Sequence, residues 1–256
     1  MDLLDFIHDK VEKWESPGFD PKGFSYIEFS TNIKPKDYIR FAEEDLKISL
    51  EHSYINAMSN AKRAIDCQVD NLIAGFGLKK RRNFPQKAED VQNLGLVAPR
   101  ILRKVMKIRN RMEHEYYKPT RDESEDAIDI AVLFVEATSA PFRELMTSFF
   151  VCDEYSNVDL SSEEIAQQIL TKNFGERGYT FHESFYVDYD LEEKTFYIDC
   201  VTGNSCIFEI EINSENPCYI EFIKFVIESN VQNLEFSGKE LSSSFVNWIR
   251  KRADIF

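Results

Sequence analysis

No apolar run in this 256-residue chain approaches the ~20 residues that a membrane-spanning helix needs. The richest stretch, IDIAVLF at 128–134, is broken by Asp129 and preceded by Asp126. Cysteine is scarce and odd in number, with five scattered residues, so no disulfide framework is expected. Cys200, Cys206 and Cys218 lack paired metal-ligand spacing, which leaves no expected metal site and no expected cofactor. Nine glycines and eight prolines are too few for a collagen-like or low-complexity chain. Neither a Walker-type nor a dinucleotide-binding glycine loop is present. The opening MDLLDFIHDK begins with an acid and has no cleavable signal pattern, so the expectation is a cytoplasmic protein with no membrane contact.

What the chain has is core-forming material and an uneven charge. Hydrophobic residues make up 43%, with 21 Phe and 11 Tyr, which argues against disorder. The length suits one large domain or two ordinary ones. Residues 1–150 hold 23 Lys and Arg against 25 Asp and Glu, a net of −2. Residues 151–256 hold 8 against 20, a net of −12, so most of the overall −14 lies there. Within the first part, residues 79–111 carry eleven basic groups against Glu89 and Asp90, a local net of +9. An acidic protein with such a stretch can still attract a polyanion locally; the plainer reading is a solvated helix face.

The pattern along the chain predicts an α+β protein. Residues 3–15 read as a short amphipathic helix, and SPGFDPKGF at 16–24 as a loop. No Gly or Pro falls between Pro35 and Gly75, a helical stretch too long for one globular helix, so a break is expected near His52–Ser53. Ala57, Ala61, Ala64 and Ile65 form a narrow apolar stripe within it. LKKRRNFPQKAED reads as a basic loop, followed by a helix over 98–117 that Pro119 stops. Thr120-Arg121-Asp122-Glu123 is a capping box opening a helix to about Ala137, and Pro141 starts a further short helix through Phe150. Residues 151–160 read as a linker, and Ser161-Ser162-Glu163-Glu164 as a second capping box opening a helix to about Lys172. Then FHESFYVDYD, KTFYIDCV and CIFEIEIN predict a three-stranded antiparallel meander, with helices over 219–229 and 239–252. The expected division is an all-α helical bundle over 1–152 and an acidic α+β domain over 160–256.

The residues that carry chemistry lie in IRNRMEHEYYKP, positions 108–119. They spell Arg-Asn-x3-His-x-Tyr, with Arg109, Asn110, His114 and Tyr116, at the end of a basic helix. Five helical residues advance about 500°, so Arg109 and His114 project roughly 140° apart on an undistorted helix. They converge on one phosphate only if the helix ends near His114 or if two copies meet, and a two-fold homodimer is the simplest composite. Histidine exchanges a proton near neutral pH, and arginine stabilises charge on a phosphate. Asn110 can donate to that phosphate or orient the histidine. RNA brings its own 2′-OH nucleophile, so cleavage requires no metal. Lys104, Lys107 and Arg111 are the candidate contacts to the RNA backbone. The plainer reading of His114 is a surface histidine favoured by the helix dipole. His8, His52 and His182 stand alone.

On these residues, the first 150 positions resemble the HEPN family, helical bundles with an Arg-x4–6-His motif on the third main helix. Arg109 and His114 fill the Arg and His positions, and Asn110 matches the polar residue that often follows the Arg. His114-Glu115-Tyr116 is similar to the His-x-Tyr extension of HEPN toxins that pair with nucleotidyltransferase antitoxins. The resemblance implies a metal-independent, dimeric endoribonuclease in toxin–antitoxin, abortive-infection or other antiviral systems, with Arg109, Asn110 and His114 as its catalytic set. It further implies Tyr116 as a position for adenylylation. Toxin–antitoxin members are usually small single-domain proteins, whereas this chain continues for about 100 further residues. The acidic C-terminal part has three readings: shielding the basic stretch, binding an inhibitory or triggering protein, or serving as a solubilising fold. The alternative for the whole chain is a non-catalytic HEPN-like dimerisation or binding scaffold.

Overall fold

Period-two apolar patterning builds the sheet of this protein, and a run of small side chains builds its helical part. The computed structural model describes residues 3–14, 17–48, 50–96, 104, 107, 110–111, 118–153, 183–202, 205–232 and 238–253. The chain is α+β. Its elements are α1 (Leu3–Asp9), a 3-10 turn (Val11–Lys13), β1 (Pro17–Ser25), α2 (Pro35–Ile48), α3 (Glu51–Gly75) and α4 (Phe84–Asn93). Then follow α5 (Arg121–Ala137), a 3-10 turn (Ala140–Phe142), β2 (Leu145–Asp153), β3 (Glu183–Asp190), β4 (Thr195–Thr202), β5 (Ser205–Ile212), α6 (Tyr219–Gln232) and α7 (Gly238–Arg250). No helix among the described residues is long and apolar enough to cross a membrane.

Contacts divide the chain into two interleaved units. One comprises Met1–Phe24, Met146–Asn216 and Ser229–Phe256; the other comprises Ser25–Leu145 and Pro217–Glu228. The expected linear division at 152–160 does not coincide with this one.

In the first unit the sheet order is β1-β2-β3-β4-β5, each strand beside its neighbour in sequence. The three-stranded meander expected from the aromatic and β-branched runs is β3–β5, with Val187 opposite Ile198 and Ile198 opposite Ile210. Two more strands extend it, and both correct the sequence reading. The segment SPGFDPKGF is not a loop but carries β1. Proline cannot donate to a ladder, so Pro17 and Pro21 are tolerated because β1 is the edge strand. Gly23 is needed there, because a Cβ at that position would lie 2.4 Å from Ser148 Oγ on β2. The second correction concerns Pro141–Phe150, which is not a helix but one 3-10 turn followed by β2. Nearly every residue of β2 is buried, so its sequence shows no alternation, and a short apolar run without alternation does not distinguish strand from helix. The first 150 residues are therefore not all-α, and Val151–Asp153 belong to β2 rather than to a linker.

One face of the sheet forms the core of this unit. Phe185 is fully buried, with ring centroids 5.3 Å from Phe6 on α1, 5.2 Å from Phe245 on α7 and 6.2 Å from Trp14. Phe149 on β2 stacks on Phe19 at 4.7 Å and meets Phe245 edge-on at 5.7 Å. Arg250 Nη2 pairs with Glu12 at 2.9 Å and Lys10 with Glu183 at 2.9 Å around this cluster. The opposite face carries Tyr186, Asp188, Tyr197, Asp199, Glu209 and Glu211 by alternation.

The second unit is helical, centred on α3. Ala57, Ala61 and Ala64 are completely buried and Ile65 nearly so, as the stripe predicts; small side chains let α2 and α5 approach. The long helical stretch breaks between Ile48 and Glu51, slightly before the expected position, where Leu50 is extended and its N–H donates to Ser53 Oγ at 3.1 Å. The basic loop expected over 78–90 contains α4 instead. Asn83 caps it, its side chain accepting from Gln86 N at 3.0 Å, and Pro85 sits in the first turn, where its missing N–H costs nothing. The predicted box at Thr120 and Glu123 caps α5 as expected. The Ser161–Glu164 box, its helix and the stretch 154–160 lie outside the described residues.

Phe185→Ala should destabilise the protein by about 3–5 kcal/mol in urea denaturation, because its ring lies at the centre of the aromatic cluster. Glu209→Ala, exposed on the other face of the same sheet, should stay within about 0.5 kcal/mol of the wild type.

Candidate nucleic-acid interface

The eleven basic residues of 79–111 divide by what each one touches. Three are held in ion pairs within the helical unit. Arg81 makes a two-point contact with the buried Asp90 on α4, Nε to Oδ2 at 2.8 Å and Nη2 to Oδ1 at 3.1 Å. Lys87 Nζ donates to Asp70 on α3 at 2.6 Å. Arg111 Nη2 donates to Glu123 at 3.0 Å. Five others, Lys79, Lys80, Arg82, Lys104 and Lys107, are exposed. Arg100, Arg103 and Arg109 lie outside the described residues.

Lys104, Lys107, Asn110 and Arg111 are all helical, in keeping with the helix expected over 98–117. At about 100° per residue, Lys104, Lys107 and Arg111 fall within roughly 60° of one another, and Asn110 is displaced from that stripe. Lys104 and Lys107 project into solvent, as does Asn110. Arg111, read from sequence as a backbone contact, is only one-third exposed and is committed to Glu123. The partner observed is twelve residues away, a distance at which no helical spacing rule signals a contact. His114, Arg109 and Tyr116 lie outside the described residues.

The segment after the basic helix rejoins the described structure at Lys118. Its ammonium pairs with Glu51 at the start of α3 at 2.7 Å and holds that carboxyl below its usual range. Pro119 is buried, and Thr120 begins the α5 cap. Among the described residues, Glu123 thus pairs with Arg111 before this segment and Glu51 with Lys118 after it. Sequence reading identified Glu123 only as a cap and did not single out Glu51.

Of the other candidates, His182 lies outside the described residues. His8 Nδ1 lies 3.0 Å from Glu12 one helical turn on, and His52 is exposed. Cys200 is buried on β4, with its thiol pushed up by loss of solvent. Cys218 is buried and Cys206 exposed. Among the described residues no three His, Cys, Asp or Glu side chains are grouped as metal ligands. On the sheet, Tyr197 Oη donates to Glu193 at 2.6 Å, and this bond, with Glu211 and Asp190 nearby, pushes the phenol up to about 12.

The exposed cations predict the form of any polyanion binding. Replacing Lys79, Lys80 and Arg82 together with alanine should weaken single-stranded RNA binding and lower the slope of log affinity against log salt by about 2. A salt titration by fluorescence anisotropy measures it, and an unchanged slope would remove these three from the interface. Comparison of the chain with protein-family models, with curated proteins and with solved structures finds no match.

Proposed function

We propose that the chain is a metal-independent endoribonuclease of HEPN type, working as a homodimer in microbial defence or toxin-like growth arrest. The observation that carries this reading is the set Arg109, Asn110, His114 and Tyr116 in the order Arg-Asn-x3-His-x-Tyr. It is supported by the helical conformation of Lys104, Lys107, Asn110 and Arg111, by the helices α2, α3 and α5 of the same unit, and by five exposed cations in the same stretch.

In this reading RNA binds along the exposed lysines. A general base takes the proton from the ribose 2′-OH, whose oxygen attacks the adjacent phosphorus. Arg109 stabilises the negative charge gathering on the non-bridging oxygens, and Asn110 holds the phosphate or the imidazole. The 5′-oxygen departs with a proton from a general acid, leaving a 2′,3′-cyclic phosphate and a 5′-hydroxyl. His114 is one of these two proton carriers, and its counterpart in a second copy is the natural candidate for the other. Adenylylation of Tyr116 would place a nucleotide beside the site and silence it. The acidic C-terminal part serves an inhibitory or triggering protein partner.

The test is cleavage of a mixed RNA in EDTA. The wild type should yield 2′,3′-cyclic phosphate ends, and His114→Ala and Arg109→Ala should each cut at least about 100-fold more slowly while remaining folded dimers. Equal cleavage by His114→Ala would remove that residue from the chemistry. A folded wild type that leaves RNA intact would instead support a non-catalytic dimerisation or binding scaffold.

A further inference from the structure

The chain between α3 and α4 commits some residues to structure and leaves the others in solvent, and those left in solvent are cations. Gly77, at φ +63°, turns the chain out of α3. Its N–H donates to Ala74 O at 3.1 Å, and Leu78 N donates to Ile73 O at 2.8 Å, which closes the helix end. Leu78 is buried. Arg81 turns inward, its Nε and Nη2 donating to the two carboxylate oxygens of Asp90, a residue only 5% exposed. Asn83 caps α4 by accepting from Gln86 N. The three residues of 78–83 that remain are Lys79, Lys80 and Arg82, all exposed.

We propose that residues 79–82 are a preset cationic loop for the phosphate backbone of single-stranded RNA, and that Asp90 is its positioning residue. Arg81 lies between Lys80 and Arg82, so fixing its guanidinium fixes the backbone from which those two side chains project. One guanidinium occupies both oxygens of the buried carboxylate, and the Asp90 charge is cancelled where it would otherwise repel a phosphate. Asparagine at this position offers one acceptor oxygen and an NH2 group, which sets donor against donor at Arg81. A loop held in place beforehand loses less freedom when its cations engage phosphates together. The choice of RNA as the polyanion rests on the ribonuclease reading; the pinning of the loop does not. The consequence is opposite in sign to simple electrostatics. Removing the Asp90 carboxylate makes the protein less negative, yet it weakens the hold on a polyanion.

The probe is a short, fluorescent, single-stranded 2′-O-methyl oligoribonucleotide, which lacks the 2′-OH nucleophile and is not cut. Asp90→Asn should bind it about 5-fold more weakly than the wild type, with a slope of log affinity against log salt lower by about 1. Asp70→Asn makes the same change of charge at the Lys87 pair and leaves Arg81 alone, so it should bind as tightly as the wild type or up to about 2-fold more tightly. Arg81→Lys keeps the charge but gives up the two-point contact, and it should shift in the same direction as Asp90→Asn. The pinning has its own readout, trypsin cleavage within 79–82 located by mass spectrometry. Asp90→Asn should be cut there about 10-fold faster under native conditions. Ala131→Gly, a buried position on α5, should lower Tm without speeding those cuts. Unchanged or tighter binding by Asp90→Asn would overturn the proposal, as would unchanged trypsin cleavage or an equal acceleration in Ala131→Gly. A wild type that does not bind the oligonucleotide at low salt would overturn it as well. Binding with the expected dependence, by a wild type that leaves unmodified RNA intact, would instead sink the ribonuclease reading and leave the proposal standing.

Discussion

The antiparallel ladder between β2 and β3 sets Phe149 opposite Val187 and Val151 opposite Phe185, joining strands that lie 30 residues apart in the chain. The sheet face that each later strand presents follows from this pairing. Side chains alternate with a period of two, so a slip of one residue would turn Phe185 and Val187 outward and bring Tyr186 and Asp188 against the core. The aromatic cluster of Phe6, Trp14, Phe149, Phe185 and Phe245 forms only in the observed register, and it recruits α1 and α7 to the same face. With β1 at the open edge, Pro17, Pro21 and Gly23 become assets, since they blunt further pairing on one side and allow close approach on the other.

The helical unit is held by a different means, the pinning of loops to α3 by buried polar side chains. Gln68 donates to the carbonyl and the hydroxyl of Thr138 at 3.2 and 3.0 Å, tying the end of α5 to mid-α3. Asn71 accepts from Ser30 N at 2.7 Å and donates to Thr31 Oγ1 at 3.0 Å, fixing the approach to α2. Tyr219 Oη donates to the carbonyl of Phe76 at 2.8 Å, which brings the start of α6 to the end of α3. Each bond satisfies a group that would otherwise be costly to bury, and together they select one arrangement of helices that apolar packing alone would leave less defined.

The basic stretch illustrates how tertiary structure reassigns charge. A formal +9 over residues 79–111 suggests a uniform electropositive surface. Asp90, Asp70 and Glu123 each neutralise one of its cations, and two of those carboxylates lie outside the window where sequence arithmetic counted them. Among the described residues of the stretch, the cations left in solvent are Lys79, Lys80, Arg82, Lys104 and Lys107.

The sequence by itself determined the α+β class, the meander of β3–β5, the buried stripe of α3 and the cap at Thr120, because each is written in a local period or a short capping pattern. It also determined the order Arg109, Asn110, His114, Tyr116, on which the functional reading rests. The identity of β1 and β2 was decided only by tertiary structure. One is an edge strand that tolerates proline, and the other is buried on both faces and so shows no alternation. Tertiary structure alone also decided the interleaving of the two units and the link from Arg111 through Glu123 to Thr120. These depend on contacts between residues far apart in the chain or off the helical period, and such contacts leave no trace in a local pattern.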